Sequence, residues 1–150
     1  MTSTARLLEQ RSDGEVHLRM ERGGVAVMRE AGSAKCRMPR GSSEAILINT
    51  GGGLAGGDAV HIRAEAGQGA GLTLTTQAAE RVYRSLGPPA SISVSLKAAP
   101  QSTLFWMPQE TIMFEGSSLH RRLEVDLAED AAFCAVESLV FGRTERGEQV

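Results

Sequence analysis

The sequence predicts an all-β chain, with many short strands in a stacked, sandwich-like or β-helix-like arrangement and little helix. Three observations carry this reading. About ten short segments alternate apolar and polar side chains with a period of two, as a half-buried strand does. Turns bearing glycine or proline separate them at near-regular spacing. No stretch repeats its apolar residues at the 3.6-residue period of an amphipathic helix. A sandwich, a barrel and a solenoid-like stack all stay open, because no exact internal repeat decides among them.

Residues 1–14 read as a polar, mobile lead-in, and 15–150 as a single β-rich domain of a size that buries a real core. Val16, Leu18 and Met20 alternate with His17, Arg19 and Glu21; Gly23-Gly24 turns the chain, and Val25 and Val27 resume an apolar face, which predicts a β-hairpin. The small and basic residues of 31–43 read as a connection. Glu44 to Asn49 is a short apolar strand expected to be covered on both faces.

The glycine bend follows: Gly51, Gly52, Gly53, Gly56 and Gly57 fall within seven positions. Glycine tolerates positive φ and close backbone approach but loses the most chain entropy on ordering, so this concentration marks a shaped bend. A phosphate-cradling loop is excluded, because no Lys-Ser/Thr pair closes it and a strand rather than a helix N-terminus comes next.

Val60 to Ala66 and Leu72 to Thr76 alternate strictly around Gly67–Gly71 and read as a second hairpin. In 77–85, Ala-Ala-Glu-Arg favours a helical turn and Val-Tyr favours extension, giving a short turn and then a strand. After the Gly87-Pro88-Pro89 break, strands are expected at 92–97, 103–107 (closed by Pro108), 112–114, 119–126 and 133–141. In 119–126, Leu119, Arg121, Leu123 and Val125 share the core-facing side.

Charge is nearly balanced, 16 Lys and Arg against 18 Asp and Glu, which gives no field for nucleic acid or an anionic membrane. No run approaches the ~20 apolar residues of a membrane span and no signal-peptide pattern opens the chain, so the expected compartment is the cytoplasm. Cys36 and Cys134 are expected as free, packed thiols. His17, His61 and His120 are far apart and on the polar sides of strands, which is surface placement rather than a metal cage. There is no Gly-x-Ser-x-Gly elbow. The charged set Asp58, Glu80, Arg81 and Arg84 after the bend fits either surface ion pairs or weak holding of a divalent ion.

Three strings, Leu47 to Asp58, Leu74 to Ser85 and Trp106 to Phe114, followed by Leu139-Val140-Phe141-Gly142-Arg143, resemble in order and spacing the urease accessory protein D family, called H in some bacteria. The resemblance spans about Glu15 to Glu148. It implies a non-enzymatic maturation factor: a β-rich scaffold and chaperone that links urease apoprotein to accessory proteins F and G and helps pass nickel to the urease active site. It implies no tightly bound cofactor, only nickel in transit. A conduit must release its ion, so scattered oxygen ligands suit it better than a closed His/Cys cage. By motif position Asp58, Thr76, Gln77, Glu80, Arg84 and Glu110 are the candidates for lining such a route or for supporting the turn that shapes it.

Family members run well past the length of this chain, so the domain is expected to be incomplete at its C-terminus and to leave an exposed strand edge. An alternative reading is a small β-rich enzyme or ligand-binding module with its site at the glycine bend, Asp58 and His61 serving as acid and base. Three apart in a strand-like run, those two point to opposite sides. A plain β interaction module is the third reading.

Overall fold

From Glu44 onward the alternating segments become strands that stack coil upon coil rather than fold back on one another. The computed structural model describes residues 11–148 and residue 150. The repeating path starts at β4 (Glu44–Asn49), crosses the glycine bend and runs along β5 (Ala59–Ala66). The next turn of the stack is β6 (Gly71–Thr76), β7 (Glu80–Val82) and β8 (Ala90–Ala98); the third is β9 (Thr103–Trp106), β10 (Thr111–Met113) and β11 (Leu119–Leu127). A fourth begins with β12 (Ala132–Ala135) and β13 (Leu139–Phe141), and a 3₁₀ turn, Thr144–Arg146, follows. Equivalent strands pair in parallel: β4-β6-β9-β12 form one face, β5-β8-β11 a second and β7-β10-β13 a third. A lone parallel bridge between Leu54 and Val82 carries the third face down into the glycine bend. This is a β-solenoid.

Before the first coil, β1 (Asp13–Glu21) and β2 (Gly24–Gly32) make the expected antiparallel hairpin, with a register shift at Arg19 and Met20. β1 lies parallel to β5, and β3 (Ala34–Arg37) pairs antiparallel with β4.

The core is a set of inward ladders, because a parallel register stacks the same face of every coil. Ala45, Leu74 and Trp106 are successive partners, as are Ile62, Val94 and Leu123, and Ala64, Leu96 and Val125. On the third face Leu54, Val82, Met113 and Phe141 follow one another. In the first coils these positions are sealed, Leu74 and Val82 among them at 0% exposure. Each such Val or Leu contributes roughly 1.5–3 kcal/mol on burial. Where each sheet ends, on β11 and β13, the inward ladders surface: Leu127 is 43% and Phe141 60% exposed. β11, β12 and β13 each stand at the end of their sheet, which is the exposed edge expected from the sequence.

Several expectations are corrected. The second hairpin does not form: residues 67–70 are a corner that carries the chain from the β5 sheet to the β6 sheet, its Gly67 N–H held by Met20 O and its Gly69 N–H by Pro100 O. A period of two reports that a strand has a wet and a dry side, and says nothing about whether the next strand is its neighbour. Residues 31–43 are not all connection, since β2 continues to Gly32 and β3 buries Ala34 and Cys36 on alternate positions. The run 133–141 is two strands, broken at the corner 136–138. β4 is covered on one face; Ile46 and Ile48 are half-buried on the other. Cys36 and Cys134 are both free thiols, yet only Cys36 is packed, its thiol pushed up to about 11 by burial, while Cys134 is exposed. Of the predicted lead-in, residues 1–10 lie outside the described residues, and β1 begins at Asp13.

Candidate functional site: the glycine bend and the cavity beneath it

The bend between β4 and β5 needs its glycines for two separate reasons. Gly53 has φ +141°, and a Cβ there would lie 2.4 Å from the Tyr83 ring and 2.8 Å from Arg81 O. Gly56 is in an ordinary backbone region, but a Cβ on it would meet Ser85 Oγ at 2.2 Å. The bend therefore lies flat against the chain that follows β7. Leu54 N donates to Arg81 O at 2.7 Å and Tyr83 N to Leu54 O at 2.8 Å, which fixes the register of that contact.

Asp58 closes the bend. Its Oδ2 accepts from Ala55 N at 2.8 Å and its Oδ1 from Ser12 N at 2.7 Å, so one buried carboxylate ties the turn to the start of β1. Both oxygens are engaged by backbone donors. His61, three residues on, bonds instead to Ser93 Oγ at 2.6 Å on the outer face, so the structure does not bring Asp58 and His61 together as acid and base.

Under the bend lies a cavity of about 170 Å³, walled by Leu47, Val60 and Ile62 and by the polar groups Asn49, Thr76 and Glu80. Gly52 and Gly53 form part of its lining. Glu80 opens β7 on its inward-facing side, in ladder with Thr111, which is itself buried. Burial pushes its carboxyl above the usual carboxylate range; the amide of Asn49, the N–H of Arg81 and the charge of Arg121 oppose this. Asn49 Nδ2 donates to both Glu80 oxygens, at 3.1 and 3.2 Å, and more distantly to Gly53 O at 3.4 Å, while its Oδ1 accepts from Gly51 N at 2.9 Å. One side chain thus joins the half-buried carboxylate to the bend above it.

The other candidates are distributed unevenly. Gln77 and Thr76 line the cavity with Glu80. Thr76 also braces the corner, since its hydroxyl donates to Ala78 O at 3.0 Å and accepts from Gln109 N at 2.9 Å. Glu110 supplies its carbonyl to Glu80 N at 2.9 Å and does not line the cavity. Arg84 lies outside, across Gly116 in a surface groove.

Sequence reasoning missed a second polar group, at the last coil of the solenoid. Glu137, at the corner between β12 and β13, accepts from Trp106 Nε1 at 2.7 Å and from the Arg121 guanidinium at 2.5–3.1 Å. Arg121 holds this carboxyl below the usual range, and the Trp106 bond assists. The signal was present for Arg121, the one charge on the apolar side of its strand; nothing in the sequence around Glu137 marks it. Among the described residues no three His, Cys, Asp or Glu side chains come close enough to form a metal cage. The arrangement offers a single carboxylate with amide and hydroxyl oxygens nearby, a donor set suited to loose, reversible contact with a cation.

The comparisons with known proteins agree with the strings that first marked these residues. Residues 12–150 match the family model described as UreD urease accessory protein. A urease accessory protein UreD of Chelativorans sp. (strain BNC1) is 44% identical over 151 residues, covering 97% of this chain and 54% of the relative. The UreD of Methylobacterium sp. (strain 4-46) is 45% identical, covering 94% and 53%, and that of Sinorhizobium medicae (strain WSM419) 43% identical, covering 100% and 57%. The chain spans about half the length of the curated relatives it matches. With a family model matched from the first strand to the last residue, the chain belongs to the UreD urease accessory protein family.

Proposed function

We propose that this β-solenoid serves urease maturation as a non-catalytic scaffold and chaperone, linking urease apoprotein to accessory proteins F and G in the cytoplasm. In this reading nickel is cargo, passed to the urease active site and never kept. The observation that carries it is the cavity under the glycine bend, in which Glu80 is partnered by the neutral amide of Asn49 and by no closed ligand set. A lone carboxylate beside neutral oxygen donors attracts a divalent cation and lets it go, as a relay requires. Thr76 and Gln77 add oxygen donors along the same wall; Asp58 and Glu110 act on the shape of the site, as a turn clamp and a backbone partner of Glu80, and Arg84 lies outside it. No helix among the described residues is long and apolar enough to cross a membrane.

The test is co-expression of the chain with urease apoprotein and accessory proteins F and G. Capture of a partner by the tagged chain is expected. Glu80→Gln is expected to keep that capture while lowering the nickel content of the urease formed. If neither apoprotein nor accessory protein is captured by a folded chain, the scaffold reading fails; if capture persists and nickel content is unchanged in Glu80→Gln, Glu80 has no part in transfer.

A further inference from the structure

Outside the solenoid, the third face ends in a groove of about 710 Å³ lined by Arg81, Tyr83, Arg84, Phe114, Arg143 and two acids, Glu115 and Glu148. Its floor is aromatic. Tyr83 and Phe114, each the residue after its strand, stack with ring centroids 5.5 Å apart, and the Arg143 guanidinium carbon lies 4.7 Å from the Phe114 centroid. Beside it runs an outward ladder of Arg81, Ile112 and Val140. The groove already holds one carboxylate: Glu148 is gripped by the Arg143 guanidinium and accepts from Arg143 N at 3.0 Å. Arg81 and Arg84, by contrast, have no carboxylate within ion-pair distance among the described residues, although the chain as a whole carries a net charge of −2.

We propose that this groove docks an acidic segment of a partner protein, its Asp or Glu side chains engaging Arg81 and Arg84 and a neighbouring aromatic or leucine side chain resting on the Tyr83–Phe114 pair. Glu148 on Arg143 is the intramolecular example of the same recognition. Planar guanidinium groups fork onto carboxylates, and Tyr and Arg together are the side chains that most often anchor interfaces. A nucleic-acid strand fits less well: Glu115 and Glu148 interrupt the positive charge where a phosphate chain would need it continuous. The groove opens on the outside of the solenoid and shares only Arg81 with the lining of the interior cavity, whose carboxylate, Glu80, takes no part in it.

The experiment is a fluorescence-anisotropy titration of the folded chain with a labelled peptide, Glu-Glu-Leu-Trp-Glu-Glu. Its lysine counterpart and an oligothymidylate serve as competing probes, and amide chemical shifts map the site. Saturable binding of the acidic peptide is expected, with shifts centred on Tyr83, Phe114 and Gly116. The double change Arg81→Glu, Arg84→Glu should weaken it roughly tenfold or more, and Tyr83→Ala several-fold. Arg84→Ala, a milder change in an exposed side chain, should weaken it in the same direction with unchanged circular dichroism. Arg63→Glu, on the outer face of β5, should leave it unaltered. Absence of saturable binding, equal binding of the lysine peptide or the oligothymidylate, equal loss in Arg63→Glu, or shifts elsewhere on the surface would overturn the proposal.

Discussion

Asp58 and Glu80 are both carboxylates near one bend, and they work in opposite senses. Asp58 has two backbone donors and holds a turn; removing it in Asp58→Ala leaves the N–H groups of Ala55 and Ser12 without their partner. A loss of roughly 1–3 kcal/mol is expected, read as a lower urea midpoint with an unchanged slope. Glu80 is held against its preference for water, so its folded pKa lies above the unfolded one. Its contribution to stability is then fully present below the unfolded carboxylate value and is lost as pH rises through the folded one. Glu80→Gln, which mimics the protonated acid, is expected to be more stable than the parent at neutral pH, with the gap closing on acidification; denaturation curves from pH 3 to pH 8 check it. Glu137 runs the other way. Its pKa is depressed by Arg121, so its contribution is present above the unfolded value and disappears as pH falls through the folded one. The sequence made both bend acids visible as candidates. It gave no means of telling a clamp from a charge partnered by a neutral amide, because the deciding partners, Ser12 and Asn49, are set by strand register across 46 and 31 residues.

At the level of elements, the alternation that makes a strand was legible almost everywhere, and the corners were not. Glycine at 67–71 signals a change of direction, and both a hairpin and a solenoid corner satisfy that signal. The corner at 136–138 carries no glycine or proline at all; Val136 N is held by Trp106 O of the coil before, so the break is dictated by the neighbouring coil rather than by local preference. The glycine bend is the case where local chemistry and tertiary contact agree. Gly53→Ala is expected to cost about 1–3 kcal/mol through its φ of +141°, and more if Tyr83 cannot withdraw. A lowered melting temperature accompanied by altered tyrosine emission would place the damage at that contact.

On the scale of the molecule, the ladders that bury Leu96 and Ala98 leave Val125 and Leu127 exposed on β11, where their sheet ends, as β12 and β13 end theirs. Apolar side chains next to unpaired strand edges are the usual recipe for edge-to-edge association. The 150-residue chain is therefore expected to self-associate with rising concentration in light scattering. Leu127→Lys together with Phe141→Lys should shift it towards monomer without loss of β signal, and a monodisperse parent across the range would contradict this.

The two ends of the stack also differ in kind. At one end β3 and the β1–β2 hairpin add antiparallel strands; at the other, β11, β12 and β13 each pair in parallel with the coil before and end their sheets. Growth of such a body is vectorial. As the chain emerges from the ribosome, the hairpin and first coil come out before any later coil has something to lie upon, so each new coil meets a finished surface in the order of translation. A circular permutant that moved residues 11–37 to the far terminus would keep every residue of the antiparallel start and remove its precedence, and slow, aggregation-prone refolding is the expected result.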